Sequence, residues 1–244
     1  MDTQLLVCFL RLTTILKVGN QIAWDIESSQ TSKWMRQVAI FGGTFDPVHW
    51  GHLIVAETAL YQVSLQQVLW VPSYNPPHKK AASFQHRLAM LQMAIADNPA
   101  FSISLVEQKR SGSSYAINTL IDLSEVYPNT RWYWIVGLDT FQTLPNWYRG
   151  QELAQLCDWL IAPRILNSKD ITQSELICQQ VEQQLAKQST VIRWQLLHIP
   201  LIGLSSSLIR KFCRHGKSLR YLVPESVRSY IAAENLYANS GEEN

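Results

Sequence analysis

The chain has 244 residues, of which 47% are hydrophobic, and its formal net charge at pH 7 is +2. That length builds one substantial core, alone or with a small appended subdomain, and the charge neither demands nor excludes a polyanionic partner. The four cysteines are scattered without a C-x-x-C pair, so neither a zinc site nor a disulfide framework is indicated, and a reducing compartment is the simple interpretation.

The first 36 residues differ in character from the remainder of the chain. An apolar run at 5–10 is too short for a secretory signal or a membrane span, and Asp2 stands where a signal peptide carries positive charge. A weak amphipathic surface helix over 5–18 is a minor alternative, because its polar face carries only Arg11 and Lys17 as cations. The polar stretch at 27–33 is typical of a linker. We therefore expect residues 1–36 to be a poorly ordered extension, with Met35 as a candidate start of translation.

Beyond this extension, short apolar runs alternate with stretches of helical spacing. In chain order, the expected elements are a strand at 38–41, a helix at 51–61, a strand at 68–71, a helix at 86–96, a strand at 101–105, a helix at 115–126, strands at 132–136, 159–162 and 196–199, and helices at 206–213 and 225–233. This alternation predicts an α/β domain over 37–244, with a Rossmann-like doubly wound parallel sheet and helices on both faces. The Gln-rich segment 165–193, with one helix expected at 174–187, is interpreted as a polar surface insertion.

The string GGTFDPVHWGH, residues 42–52, runs from the end of the first strand into the first helix. Gly42 and Gly43 allow a sharp turn and a close approach of a ligand to the backbone. The helix start offers free N–H groups and a positive dipole end to an anion. His49 and His52 are three residues apart, so both rings can lie on one side of the first helical turn. A glycine turn with incidental histidines is the alternative, but these features occur together and in order, and they predict a phosphate site.

A second candidate site follows the last predicted strand. Ser205, Ser206 and Ser207 open a helix, where their hydroxyls can cap it and donate to a ligand. Arg210 lies on the first turns of that helix, where a guanidinium can bind a phosphate through two parallel hydrogen bonds. Taken alone, this pattern is equally that of a capped helix with a surface arginine. We predict phosphate binding only because the first motif is also present.

Three loops carry further candidates. The rigid segment that begins at Asn75 presents Lys79 as a cationic tip, although an ordinary basic loop is the alternative. Asp139 follows the strand at 132–136, and an aspartate at the carboxyl end of a strand is well placed for a ribose hydroxyl. Trp147 lies in a Pro-Asn loop, which favours partial exposure and ring stacking over core packing.

These motifs together resemble the T/H-x-G-H nucleotidyltransferase superfamily, and the bacterial nicotinate-nucleotide adenylyltransferases in particular, over residues 37–237 apart from 165–193. The string LSSSLIR at 204–210 is similar to the family's I-S-S-T-x-I-R signature, with Leu204 for Ile and Ser207 for Thr. The P-P-H-K segment at 76–79, the S-Y pair at Tyr115 and the G-x-D segment at Asp139 also match. Ala116 departs from the pattern, because the family usually has Thr there.

The resemblance implies transfer of AMP from ATP to nicotinate mononucleotide, with a phosphate oxygen as nucleophile and no enzymatic nucleophile. It implies catalytic roles for His49, His52 and Arg210. The expected ATP-binding residues are Gly42, Gly43, Thr44, Phe45, His49, His52, Asp139, Ser205, Ser206, Ser207 and Arg210. The expected pyridine-nucleotide-binding residues are Thr44, Asn75, Lys79, Tyr115, Trp147 and Tyr148. We expect Mg²⁺ to be carried by ATP, with few or no protein ligands, and we expect a cytoplasmic enzyme without nucleic-acid or membrane partners.

Two alternatives stay open at this point. Another nucleotidyltransferase of the superfamily would use a different phosphate acceptor, such as nicotinamide mononucleotide. A nucleic-acid-binding module would use the basic cluster formed by Arg210, Lys211, Arg214, His215, Lys217 and Arg220. A solvated face beside the ATP site is the simpler interpretation of that cluster.

Overall fold

A computed structural model describes residues 35–75, 81–110, 112–163, 169–200 and 203–238, with the backbone alone at 169 and 170. The expected extension at 1–36 therefore lies outside the described residues up to position 34, and its disorder stays a prediction. Among the described residues, no helix combines the length and the apolar character that a bilayer crossing requires.

Six parallel strands form one sheet: β1 (Arg36–Gly43), β2 (Gln67–Pro72), β3 (Phe101–Ile103), β4 (Thr130–Gly137), β5 (Asp158–Ala162) and β6 (Arg193–Leu196). Their spatial order is β3-β2-β1-β4-β5-β6, and each neighbouring pair is parallel. The Rossmann-like doubly wound fold is thereby confirmed. The strand order reverses between β1 and β4, so a crevice is expected where these two strands end.

Eight α-helices are described: α1 (Trp50–Gln62), α2 (Phe84–Ile95), α3 (Ala116–Val126), α4 (Leu138–Phe141), α5 (Gly150–Leu156), α6 (Lys169–Ala186), α7 (Ser206–Arg214) and α8 (Glu225–Ala233). Short 3₁₀ turns lie at Val106–Lys109 and Leu144–Asn146. The helices pack on both faces of the sheet and form two cores. Strand β1 separates them. Ala39 and Phe41 enter the first core, to which α1, α2 and α8 contribute, whereas Val38 and Ile40 enter the second core, to which α3, α5 and α6 contribute.

The last strand differs from the sequence expectation. The prediction of a strand at 196–199 was wrong in position, because β6 spans Arg193–Leu196. Its pairing with β5 runs from Arg193 opposite Asp158 to Leu196 opposite Ile161. β6 is an edge strand, and its exposed positions hold Arg193 and Gln195. Edge strands tolerate polar residues, so the apolar run that marks a central strand is missing here.

Helix α6 begins earlier than expected and contributes to a core. Along it Cys178, Val181 and Leu185 are buried in the second core, and Ser174 is buried as well. These four positions recur at intervals of three and four residues, so one face packs inward while the rest stays polar. The helix in the predicted surface insertion is thus amphipathic and covers part of the sheet.

Candidate active site

A cavity of about 600 Å³ opens at the switch point of the sheet. Gly42 and Gly43 at the end of β1, Gly137 at the end of β4 and Ala162 at the end of β5 form its floor. The loop from β1 to α1 and the start of α7 supply its polar walls. Parallel sheets bind ligands at this place because the loops on either side of the switch point diverge and leave room between them.

The loop after β1 is held in shape by a buried aromatic residue. Phe45 has φ +49 and is 2% exposed, and its ring packs edge-on against the His52 ring with 5.2 Å between centroids. The peptide bond between Asp46 and Pro47 is cis. A side chain at Gly43 would lie 3.0 Å from the Phe45 ring, so the second glycine leaves room for that ring.

His49 and His52 face each other across the first turn of α1. Their rings are stacked, with 3.7 Å between centroids. The backbone N–H of His49 donates to Nδ1 of His52 at 3.3 Å. Because Nδ1 accepts this bond, the neutral His52 ring carries its proton on Nε2, where it can donate to a ligand. The Nδ1 atom of His49 is buried and has no hydrogen-bond partner within the described part of the chain.

Both imidazoles are neutral near pH 7 in the absence of a ligand. Burial lowers the pKa of His49 to about 4. Burial, and secondarily the neighbouring His49, hold the pKa of His52 well below its ordinary value of 6.5. Desolvation penalises the charged form of a base, which is the physical cause of both shifts. The pair therefore presents hydrogen-bond donors rather than fixed positive charges.

The second motif meets the first in space. Ser205 caps α7, since its Oγ accepts from the backbone N–H of Leu208 at 3.2 Å. Ser206 Oγ donates to the carbonyl oxygen of Pro47 at 3.0 Å, and Arg210 Nη1 donates to the carbonyl oxygen of Asp46 at 2.6 Å. Residues about 160 positions apart in sequence thus line one cavity: Gly42, Gly43, Thr44, Phe45, His49, His52, Ser205, Ser206, Ser207 and Arg210.

Comparison with known proteins identifies the family of this arrangement. A family model described as "Cytidylyltransferase-like" matches residues 40–212. Relatives from Trichormus variabilis and Nostoc sp. are each 70% identical over 208 residues, which is 85% of this chain and 100% of theirs. Both are named "Probable nicotinate-nucleotide adenylyltransferase". The chain belongs to the cytidylyltransferase-like family, in its nicotinate-nucleotide adenylyltransferase branch. The resemblance inferred from the motifs is confirmed.

Solved structures of the family show the same fold. A Plasmodium falciparum nicotinic acid mononucleotide adenylyltransferase complexed with NaAD has a TM-score of 0.64 and 20% sequence identity. The match covers 83% of this chain and 97% of that one. A structure of the same P. falciparum enzyme complexed with APC gives a TM-score of 0.62 at the same identity.

Tyr115, Trp147 and Tyr148, which are expected to contact the pyridine nucleotide, are not among the residues that line the 600 Å³ cavity, whereas Thr44 is. Tyr115 and Tyr148 form an exposed pair with 4.6 Å between ring centroids. Trp147 is half-buried, because its Nε1 donates to Thr143 Oγ1 at 2.9 Å and its ring packs edge-on against Trp159. This ring therefore has a core contact and is only partly exposed, and its stacking role stays a prediction.

Asp139 and Asn75 are described but are not among the residues that line the cavity either. Asp139 is exposed in the first turn of α4, between Gly137 and Thr140, both of which do line it. Asn75 is exposed in the loop after β2. Lys79 lies outside the described residues. The binding roles of all three stay predictions.

One residue that organises the site was missed by sequence reasoning. Arg87 is 2% exposed, and its guanidinium donates to the carbonyl oxygens of Thr44 at 2.7 Å, Ser73 at 2.8 Å and Ala82 at 3.1 Å. It therefore ties the loop after β1 to the loop after β2. Burial lowers the pKa of Arg87, and the negative charge of Asp46 opposes that shift. The sequence signal that could have identified Arg87 was its position on the buried stripe of α2, because a buried arginine needs hydrogen-bond or ion-pair partners.

Proposed function

We propose that the protein transfers AMP from ATP to nicotinate mononucleotide and releases pyrophosphate, giving deamido-NAD. The observation that carries this proposal is the convergence of His49, His52 and Arg210 on one cavity at the switch point of the sheet. The 70% identity to relatives named for this activity supports the choice of acceptor.

The reaction needs no nucleophile from the protein. A 5′-phosphate oxygen of the mononucleotide attacks the α-phosphorus of ATP, a new P–O bond forms, and the bond to pyrophosphate breaks. The attacking oxygen is already anionic near neutral pH, so the protein supplies orientation and stabilisation of developing charge. Those are the functions for which hydrogen-bond donors around a cavity are suited.

The donors on this cavity are of three kinds. His52 has a proton on Nε2, and the stacked His49 lies beside it. The amino-terminal turns of α1 and α7 provide backbone N–H groups and the positive ends of their dipoles, although in α1 the N–H groups of Trp50 and His52 already donate to the carbonyl oxygens of Leu222 and His49. Arg210 is the positively charged side chain of the described lining. A guanidinium has five N–H groups, so donors remain for phosphate oxygens beyond the bonds to Asp46 and Ser207.

We propose that Mg²⁺ arrives on the phosphates of ATP. Asp46, in the first motif, supplies the carboxylate of the described lining, and its Oδ1 already accepts from Ala82 and Tyr237. No group of three or more metal-binding side chains is found among the described residues. Bound to the triphosphate, the ion would neutralise negative charge, while the residues named above would hold the phosphate oxygens in place.

The pyridine ring is proposed to bind beyond the mouth of the cavity. Tyr115 and Tyr148 form an exposed aromatic pair outside the cavity lining, and Trp147 lies next to Tyr148 in the chain. Aromatic faces stack favourably on a planar ring. Asn75 and Lys79 are proposed to contact the same nucleotide, and Asp139 to bind ATP, by analogy with the family's pattern. A cytoplasmic location likewise stays a proposal.

The decisive experiment measures pyrophosphate release with ATP and nicotinate mononucleotide, with parallel reactions containing nicotinamide mononucleotide or CTP. We expect the first combination to have the highest kcat/KM. A His52→Ala variant in the same assay controls for contaminating activity. Faster turnover with nicotinamide mononucleotide would show that it, and not nicotinate mononucleotide, is the acceptor. Faster turnover with CTP would show that CTP, and not ATP, is the nucleotide donor. The absence of turnover with every combination would overturn the proposal.

A further inference from the structure

The C-terminal end of the described chain contacts the first phosphate motif. Tyr237 lies four residues beyond the end of α8, and its hydroxyl donates to Oδ1 of Asp46 at 2.6 Å. The two residues are 191 positions apart in sequence. Burial, together with the hydrogen bond to Asp46, raises the pKa of Tyr237 far above its ordinary value, so the hydroxyl stays protonated and donates at physiological pH.

Tyr237 is held in place by its surroundings. The backbone N–H of Leu236 donates to the carbonyl oxygen of Ile231 at 3.0 Å, which ties this segment to the end of α8. Leu236 and Tyr237 both pack against the first core. The backbone of Tyr237 has φ +62, a conformation that is costly for a residue with a side chain and persists only where surrounding contacts impose it. The hydroxyl is therefore presented to Asp46 from a defined position.

Asp46 connects this hydroxyl to the catalytic guanidinium. Its side chain is almost fully buried, and Oδ1 accepts from both Tyr237 and the backbone N–H of Ala82, the latter at 3.1 Å. The other carboxylate oxygen, Oδ2, lies 3.5 Å from Arg210 Nη1, while that same Nη1 donates to the Asp46 carbonyl oxygen at 2.6 Å. The carboxylate is thus restrained by hydrogen bonds at Oδ1, whereas Oδ2 faces Arg210 at a distance longer than that of a close ion pair.

We propose that Tyr237 is a positioning residue for nucleotidyl transfer: its hydroxyl restrains the Asp46 carboxylate and thereby keeps the Arg210 guanidinium available to phosphate. This inference rests on the proposed function of Arg210. Without the hydroxyl, Asp46 keeps a single donor on Oδ1 and can rotate towards Arg210. A carboxylate and a guanidinium that meet in a buried site pair through two parallel hydrogen bonds. Such a pair would occupy the N–H groups that phosphate oxygens need.

The test compares two Tyr→Phe variants that each remove one hydroxyl. Tyr237→Phe removes the bond to Asp46. Tyr230→Phe removes the 2.9 Å bond to His86 Nδ1 and leaves the first motif untouched. Both tyrosines are half-buried and pack against the first core, so a general loss of stability should be similar. We expect Tyr237→Phe to lower kcat about tenfold, with the KM for the mononucleotide unchanged, and Tyr230→Phe to leave kcat unchanged. An equal effect of both variants on kcat would overturn the inference.

A double-mutant cycle identifies the route of the effect. If Tyr237 acts through Arg210, Tyr237→Phe should change kcat less than twofold in an Arg210→Lys background, whereas independent roles give multiplicative losses. Multiplicative losses would overturn the inference while leaving the proposed activity intact. Conversely, an inactive wild-type protein would overturn the proposed activity. In that case calorimetric titration of the same four proteins with a non-hydrolysable ATP analogue still tests the coupling, and additive changes in binding would overturn it.

Discussion

Gly51 lies between the two active-site histidines, and its replacement by alanine should separate activity from stability. An ideal Cβ at this position would lie 3.0 Å from both Cε1 and Nδ1 of His49, and 3.6 Å from Cβ of Leu204. Ordinary contacts are 3.4–4 Å, so the His49 ring must move by a few tenths of an ångström. That ring is already stacked on His52, which limits where it can go. Displacement of a catalytic group by 1 Å costs about 100-fold, so a shift of this size should lower kcat about tenfold.

The stability of Gly51→Ala should move in the opposite direction. Gly51 belongs to α1 and does not have a positive φ, so alanine fits the backbone and gains up to about 1 kcal/mol of helix propensity. The assays are steady-state pyrophosphate release and urea unfolding of the same preparation. We expect a reduced kcat with an unchanged or raised urea midpoint. Turnover equal to that of the wild type would refute the claim that the close approach of His49 to residue 51 affects kcat. A lowered urea midpoint would show that the backbone of α1 shifts instead of the His49 ring.

Three further predictions concern individual side chains. His52→Ala should lower kcat at least about 100-fold in the pyrophosphate assay while the protein stays folded, and near-normal turnover would exclude a transition-state role. Trp147→Ala should raise the KM for the pyridine mononucleotide more than the KM for ATP, whereas equal increases would reject ring stacking. His49 should contribute to acid lability: its pKa falls from 6.5 in the unfolded chain to about 4 in the folded one, so its stabilising effect is complete above pH 6.5 and is lost as the pH falls towards 4. His49→Gln should therefore flatten the pH dependence of urea unfolding between pH 6.5 and 4, by about 1.4 kcal/mol per pH unit at most, and identical slopes would contradict the shift.

The central strands could be predicted because they are buried on both sides. In β1, Val38 and Ile40 enter one core and Ala39 and Phe41 the other, so the run is apolar without interruption. The edge strand β6 carries no such signal, since Arg193 pairs with the buried Asp158 of β5 instead of filling a core. The position of β6 therefore could not be predicted from the sequence without knowing that Asp158 is the partner of Arg193.

Short helices escaped prediction for a related reason. Helix α4 has four residues and α5 has seven, which is too few turns to establish a helical period. Helix α5 begins at Gly150, directly after Arg149, which has the left-handed conformation. The residues at the start of this helix are therefore typical of a turn. Its existence depends on packing, because Leu153 and Ala154 are fully buried in the second core.

The positions of the proposed phosphate donors could be predicted from the sequence, whereas the residues that support them could not. The first motif is contiguous in sequence, so its spacing alone placed His49 and His52 on one turn of α1. Arg87 and Tyr237 act on carbonyl and carboxylate groups that are distant in sequence, and only the folded chain brings them together. A buried arginine on an apolar helix stripe is a signal that some polar partner exists, but it does not identify that partner.

The electrostatics of the cavity explain why such supports matter. Because burial keeps His49 and His52 uncharged, the positive charge among the described lining side chains is concentrated on Arg210. Neutral donors can hold phosphate oxygens without binding a released polyanion as tightly as three fixed cations would. In the proposed reaction, a single guanidinium therefore decides where negative charge is stabilised. We expect its orientation relative to Asp46 to affect the rate, and through Asp46 we expect a tyrosine beyond α8 to influence chemistry at the end of β1.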